Sequence, residues 1–155
     1  MKHRLLLIFM SFGIFSAGAQ NALSLNASST EWRLEAEKDN VQIFSTPADC
    51  SDIANGTSNE YLILKVVNAN AAPVKVNFSK NVWYNGNCSN CSGDSPERRS
   101  ELVVAANESL VGSCDSKDKR LKVFSRMLRQ EKARKLTKFE VVNMTVQTQV
   151  NTTSK

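Results

Sequence analysis

The sequence predicts an all-β protein, an antiparallel β-sandwich of about seven or eight strands, and three observations carry that expectation. Apolar residues recur with a period of two: Val74, Val76 and Phe78 alternate with Lys75, Asn77 and Ser79, as in a strand with one face on a core and the other in water. The strand-like runs are short and are separated by Asn, Asp, Gly and Pro, the residues that turns require. Four cysteines, Cys50, Cys88, Cys91 and Cys114, fall in or beside those turns, where crosslinks would hold a small β-domain at one end.

The chain opens with a cationic start at Lys2, His3 and Arg4, continues in an apolar run from Leu5 to Phe15, and reaches the small residues Ala17-Gly18-Ala19. These three parts predict a cleavable signal peptide over 1–19 and export to the periplasm or the extracellular space. The leader resembles that of exported bacterial proteins. A membrane anchor would need about 20 apolar residues, more than this run supplies, and no later segment is apolar enough to span a bilayer, so no transmembrane segment is expected after cleavage. Residues 20–30 are small and polar and read as a flexible leader, as do 151–155 at the other end. The span 31–150 is expected to form a single domain.

Within that domain, Trp32, Leu34 and Ala36 alternate with Arg33, Glu35 and Glu37; with Lys38-Asp39-Asn40 and the following Val41 and Ile43 they predict a hairpin. Tyr61–Val67 is nearly continuous in apolar residues, which suits a sheet centre, and it ends at Asn68-Ala69-Asn70 and Pro73. A strand over 74–84 comes next, then a long loop over 85–100. Short strands are expected at 101–105 and 109–114, and a last pair at 121–128 and 136–146, with one or two helical turns as an option for the charged connection 129–135. The central strand followed by a valine-alternating strand resembles immunoglobulin-like domains in general, which implies an Ig-like sandwich.

The even number of cysteines in an exported chain predicts two disulfides, each stabilising by ~2–4 kcal/mol. Three pairings are open. Counting strand directions puts all four thiols at one end, with the bridges stapling the loops 45–59 and 85–100 to the sheet. Two other chemistries compete for the same residues. Cys88-Ser89-Asn90-Cys91 has the spacing of a thiol–disulfide redox site, but Ser92-Gly93-Asp94-Ser95-Pro96 reads as loop, whereas such a site uses a helix N-terminus to lower the thiol pKa. A tetrahedral zinc site would need all four thiols reduced and usually two such motifs; no metal and no cofactor is expected.

The only histidine, His3, lies in the signal segment, so a mature chain has no imidazole for Ser-His-Asp or Cys-His catalysis. Without the first 19 residues the chain holds 18 basic and 15 acidic residues. Ten of the basic ones are Lys117, Lys119, Arg120, Lys122, Arg126, Arg129, Lys132, Arg134, Lys135 and Lys138, opposed only by Asp118 and Glu131. A solvated surface is the plainer account of this block; the functional one is a patch for an anionic polymer such as an acidic polysaccharide, lipopolysaccharide or nucleic acid, although no nucleic-acid motif accompanies it. Phe124 and Phe139 are the aromatics within it. Trp83 offers a possible aromatic contact, while strand phase turns Tyr84 toward the core. Asn-x-Ser/Thr sites occur at Asn26, Asn55, Asn77, Asn87, Asn90, Asn107, Asn143 and Asn151, and read as polar loops and strand faces. The expectation is a small exported, non-catalytic binding or structural module. Its partner is unidentified; an envelope or extracellular protein or an anionic polysaccharide fits the sequence. Redox use of Cys88 and Cys91 is the rival.

Overall fold

A computed structural model describes residues 31–149 except 94, 117 and 131. The expected signal peptide, leader and tail, and Lys117 of the basic block, lie outside the described residues.

Among the described residues the chain forms nine strands: β1 (Arg33–Lys38), β2 (Val41–Asp52), β3 (Thr57–Asn68), β4 (Val74–Tyr84), β5 (Asn87–Cys88), β6 (Arg99–Val104), β7 (Ser109–Val111), β8 (Lys122–Met127) and β9 (Leu136–Thr148). All pairings are antiparallel. The β1–β2 turn uses Asp39 and Asn40 at φ 48° and 56°, a left-handed pair whose twist suits a two-residue hairpin and that Asp and Asn tolerate.

Two sheets result, and both are built the same way. In the five-stranded sheet, which curls into a half-barrel, β3 is central. β2 covers one edge of β3 along its whole length, whereas the other edge is shared by β7, opposite Lys65–Val67, and β8, opposite Asn59–Ile63. In the four-stranded sheet β4 takes that role. β9 runs along one of its edges, and the other is shared by β6, opposite Val74–Ser79, and β5, opposite Trp83 and Tyr84.

The inward residues of both sheets meet in one core. Val41, Ile43, Leu64 and Val66 of the curled sheet and Val74, Val76, Val104 and Leu136 of the other are fully buried in it. The buried amide of Asn68 closes one end: its Nδ2 donates to the carbonyls of Ala72 and Ala105 at 2.9 Å each, and its Oδ1 accepts from the Asn70 N–H. A buried polar side chain with its bonds made in this way costs little.

Several expectations need correcting. β2 and β3 continue to a short turn at 53–56, so Cys50 lies inside a strand and 45–59 is not a loop. The strand expected over 109–114 stops at Val111, and no helix forms among the described residues of 129–135. The alternation read for β1 fails at a bulge between Leu34 and Ala36. Leu34 is thereby 48% exposed. Glu35 turns inward instead, where its carboxylate accepts from the hydroxyl of buried Ser45 and pairs with Arg33. A bulge inserts one residue and so reverses the facing of the strand beyond it.

Candidate functional site

The two divided edges leave matching gaps. On the edge of β4 away from β9, no strand among the described residues pairs with Lys80–Val82, between the end of the β6 pairing and the start of β5. The gap is closed by the 85–98 connection. Lys80 N–H donates to the Arg98 carbonyl at 2.8 Å and Ser89 N–H to the Val82 carbonyl at 2.9 Å. The Asn90 side-chain amide accepts from Val82 N–H at 2.8 Å and donates to the Lys80 carbonyl at 2.9 Å.

On β3, the gap falls between β7 and β8. Gly112 N–H donates to the Leu64 carbonyl at 2.9 Å, and the chain then swings out through Cys114 to a short 3₁₀ turn at Lys119–Leu121. Gly112 lets this happen, since a Cβ there would sit 2.2 Å from the Leu121 carbonyl oxygen. Between the 85–98 wall and the 3₁₀ turn lies an open cleft of about 850 Å³, within the size range of ligand sites.

Its floor holds Lys80, which points inward in phase with Val76, Phe78 and Val82 and is only 6% exposed. Its Nζ donates to the carbonyls of Lys119 and Arg120 at 3.2 and 3.3 Å, pinning the 3₁₀ turn to the opposite sheet. Burial pushes the Lys80 ammonium below the usual lysine range, partly opposed by the charges of Asp118 and Glu97. Asp118 caps the turn by accepting from Arg120 N–H at 2.9 Å, and the Arg120 guanidinium closes on the same carboxylate, holding its pKa below the usual value. Arg120 also donates to the Glu101 carbonyl at 2.6 Å.

One wall is aromatic. Tyr61 and Phe124 oppose each other across β3 and β8, edge to face with centroids 5.8 Å apart. Tyr84 lies 6.4 Å from Phe124, and its hydroxyl donates to the Phe124 carbonyl at 2.7 Å. Burial raises the Tyr84 pKa, against the lowering effect of Arg134. Two cations sit over these rings: Lys122 Nζ is 5.5 Å from the Tyr61 centroid, and the Arg134 guanidinium carbon 3.9 Å from that of Tyr84.

The structure thus divides the basic block that the sequence presents as one run. Lys119, Arg120, Lys122 and Arg134 line the cleft, joined there by Lys80 and Arg99. Arg126 instead pairs with buried Glu60 at 2.8 Å, and Lys138 with Glu140 at 2.6 Å. Arg129, Lys132 and Lys135 lie outside the cleft lining. Phe139 is part of the core. Trp83 is half-buried on the opposite face of β4 with Lys138 Nζ 4.4 Å from its ring, so it stands apart from the cleft.

All four cysteines are in disulfides. Cys50 bonds Cys114 and Cys88 bonds Cys91, with Cα atoms 5.4 and 5.8 Å apart. This pairing replaces the four-thiol zinc arrangement. It also corrects the stapling: Cys50–Cys114 ties β2 to the swung-out segment, while Cys88–Cys91 is internal to the 85–98 wall. Both lie toward the Tyr61 and Tyr84 ends of their sheets, away from the Asn68 end. Bends, not a helix, come after Cys91. Two disulfides accord with a non-cytoplasmic location, and among the described residues no helix is long and apolar enough to cross a membrane.

Sequence reasoning missed Lys80, Arg99, Tyr61 and Tyr84 as site residues. A lysine at a core-facing position of a strand was the available signal for Lys80; the others depend on which edges the topology divides. Among known protein families, curated proteins and solved structures, none matches this chain.

Proposed function

We propose that this protein is an exported, non-catalytic binding module whose two packed sheets act as a sandwich-type scaffold and whose binding site is the cleft at their divided edges, taking an anionic ligand. Export rests on the signal-like leader together with the disulfides. The observation that carries the binding reading is how the cleft cations are held. A lysine or arginine paired with a carboxylate is positioned but neutralised, as Arg126 is by Glu60. Among the cleft cations Arg120 is likewise paired, with Asp118. Lys122 instead donates to the Cys114 carbonyl at 3.0 Å and lies over Tyr61, and Arg134 lies over Tyr84. Such contacts orient a cation without cancelling its charge. With Lys119 beside them in the cleft lining, they offer pre-placed positive charge to an anion.

Two triple variants with equal change in net charge test this. Lys119→Ala/Lys122→Ala/Arg134→Ala removes cleft cations, and Arg129→Ala/Lys132→Ala/Lys135→Ala removes the same number outside it. On a heparin column the first is expected to elute at clearly lower salt than the second. Equal elution of the two would assign binding to net charge alone and sink the reading.

A further inference from the structure

The cleft's other wall narrows the class of anion, and we infer that the ligand is an acidic oligosaccharide, one bearing carboxylate or sulfate groups. This rests on the cleft being the binding site. The 85–98 connection lines the cleft with Ser89, Asn90, Ser92, Ser95 and Pro96 and with a single carboxylate, Glu97, so the groups facing the cationic side are mostly neutral hydroxyl and amide groups. A ligand that fills the cleft must satisfy both: negative charge on one flank, and many uncharged hydrogen-bonding groups on the other. A sugar chain with an acidic group on its rings has that composition, and the cleft's volume of about 850 Å³ lies within the range of ligand sites.

Two rival classes fit less well. An acidic peptide would gain most by adding a strand to an open edge. Here the stretch of β4 without a strand on that edge is already satisfied, because the N–H and C=O groups of Lys80 and Val82 are bonded by Arg98, Asn90 and Ser89. A single-stranded nucleic acid gains its sequence-tolerant affinity by stacking bases on open aromatic faces. The Tyr61 and Tyr84 rings are instead occupied by Lys122 and Arg134, and Phe124 is packed between them.

The test is calorimetric titration of the disulfide-bonded protein, at one ionic strength, with three probes: a heparin-derived hexasaccharide, a galacturonate hexamer, and an oligo-dT matched in charge to the stronger-binding saccharide. The inference expects a saccharide to bind at least tenfold tighter than oligo-dT. It also expects Ser92→Ala/Ser95→Ala, substitutions at exposed loop positions, to weaken the saccharide several-fold while leaving oligo-dT unchanged. Oligo-dT binding as tightly as both saccharides, and lost in the Lys122→Ala/Arg134→Ala variant, would overturn the saccharide assignment but retain the cationic cleft. Failure of all three probes to bind would overturn both. Thermal melts of each variant report whether it is folded, so that lost binding is not lost structure.

Discussion

The side chain of Asn90 stands in for a strand residue opposite Val82: its Oδ1 accepts the Val82 N–H at 2.8 Å, and its Nδ2 returns a bond to the Lys80 carbonyl at 2.9 Å. The primary amide has the donor and acceptor of a peptide group on one carbon, so it can bridge two backbone groups that a missing strand would otherwise pair. Asn90→Ala leaves both unsatisfied and is expected to cost about 2–3 kcal/mol, measured by urea denaturation. Asn90→Asp has the same size but no donor for the Lys80 carbonyl, and is expected to lose more than half as much. A near-neutral Asn90→Asp would mean the bridge is not structural.

The two disulfides differ in what they close. Cys50–Cys114 spans 64 residues and Cys88–Cys91 only 3. Chain entropy then assigns about 4 kcal/mol to the first and about 2 kcal/mol to the second. The Cys50→Ala/Cys114→Ala variant should therefore melt well below Cys88→Ala/Cys91→Ala in a calorimetric scan. The second pair is expected to show its larger effect on ligand affinity, since it shapes the wall that holds Asn90.

Tyr84 makes stability sensitive to alkali. Its raised pKa means the folded protein holds the phenol proton more tightly than the unfolded chain. The contribution is fully present below the ordinary value of 10.0 and is lost as pH rises through the raised one. Tyr84→Phe is expected to cost about 1 kcal/mol at pH 7, from the bond to the Phe124 carbonyl. That deficit should shrink above pH 10, where the wild type loses its advantage. A constant difference from neutral to alkaline pH contradicts this account.

Asp118 works in the acid direction. Its carboxylate caps the 3₁₀ turn and receives the Arg120 guanidinium, which lowers its pKa from 3.8. The stabilisation is present above that ordinary value and lost as pH falls through the lowered one. Asp118→Ala is expected to cost about 1 kcal/mol near neutrality, the typical loss of a cap. The wild-type and variant unfolding curves should converge in strong acid.

Strand identity was legible because it rests on local pattern. The bounds of β4 match the alternation read from Val74 to Tyr84, and the core-facing phase of Tyr84 comes from the same count. The facing of β1 was not legible, since a bulge at Glu35 leaves no mark in composition. The cleft was harder still. Its two sides come from β4 and from residues 119–134, and they meet only because the central strand of each sheet has one divided edge. Nothing in a linear reading shows that Lys122 and Arg134 lie over rings, that Arg120 and Arg126 rest on carboxylates, or that Lys138 has both a ring and a carboxylate beside it. That sorting, on which the functional proposal depends, is a property of register.

The nesting of the two crosslinks bears on how the chain is oxidised. Under the export proposed above, the chain would emerge from its N-terminus and Cys50 would meet oxidant with Cys88 as the next thiol to arrive, whereas its proper partner is the last of the four. Pairing in order of appearance would join Cys50 to Cys88 and leave Cys91 to Cys114, so that neither native bond forms. The native outcome is favoured by proximity, because closing the short Cys88–Cys91 ring costs far less loop entropy than reaching back to Cys50. Once that ring shuts, only one partner remains for Cys50. The small bridge therefore acts as a proofreader for the large one: Cys88→Ala alone should yield trapped, mispaired monomers on refolding, while the double variant lacking Cys88 and Cys91 should refold cleanly.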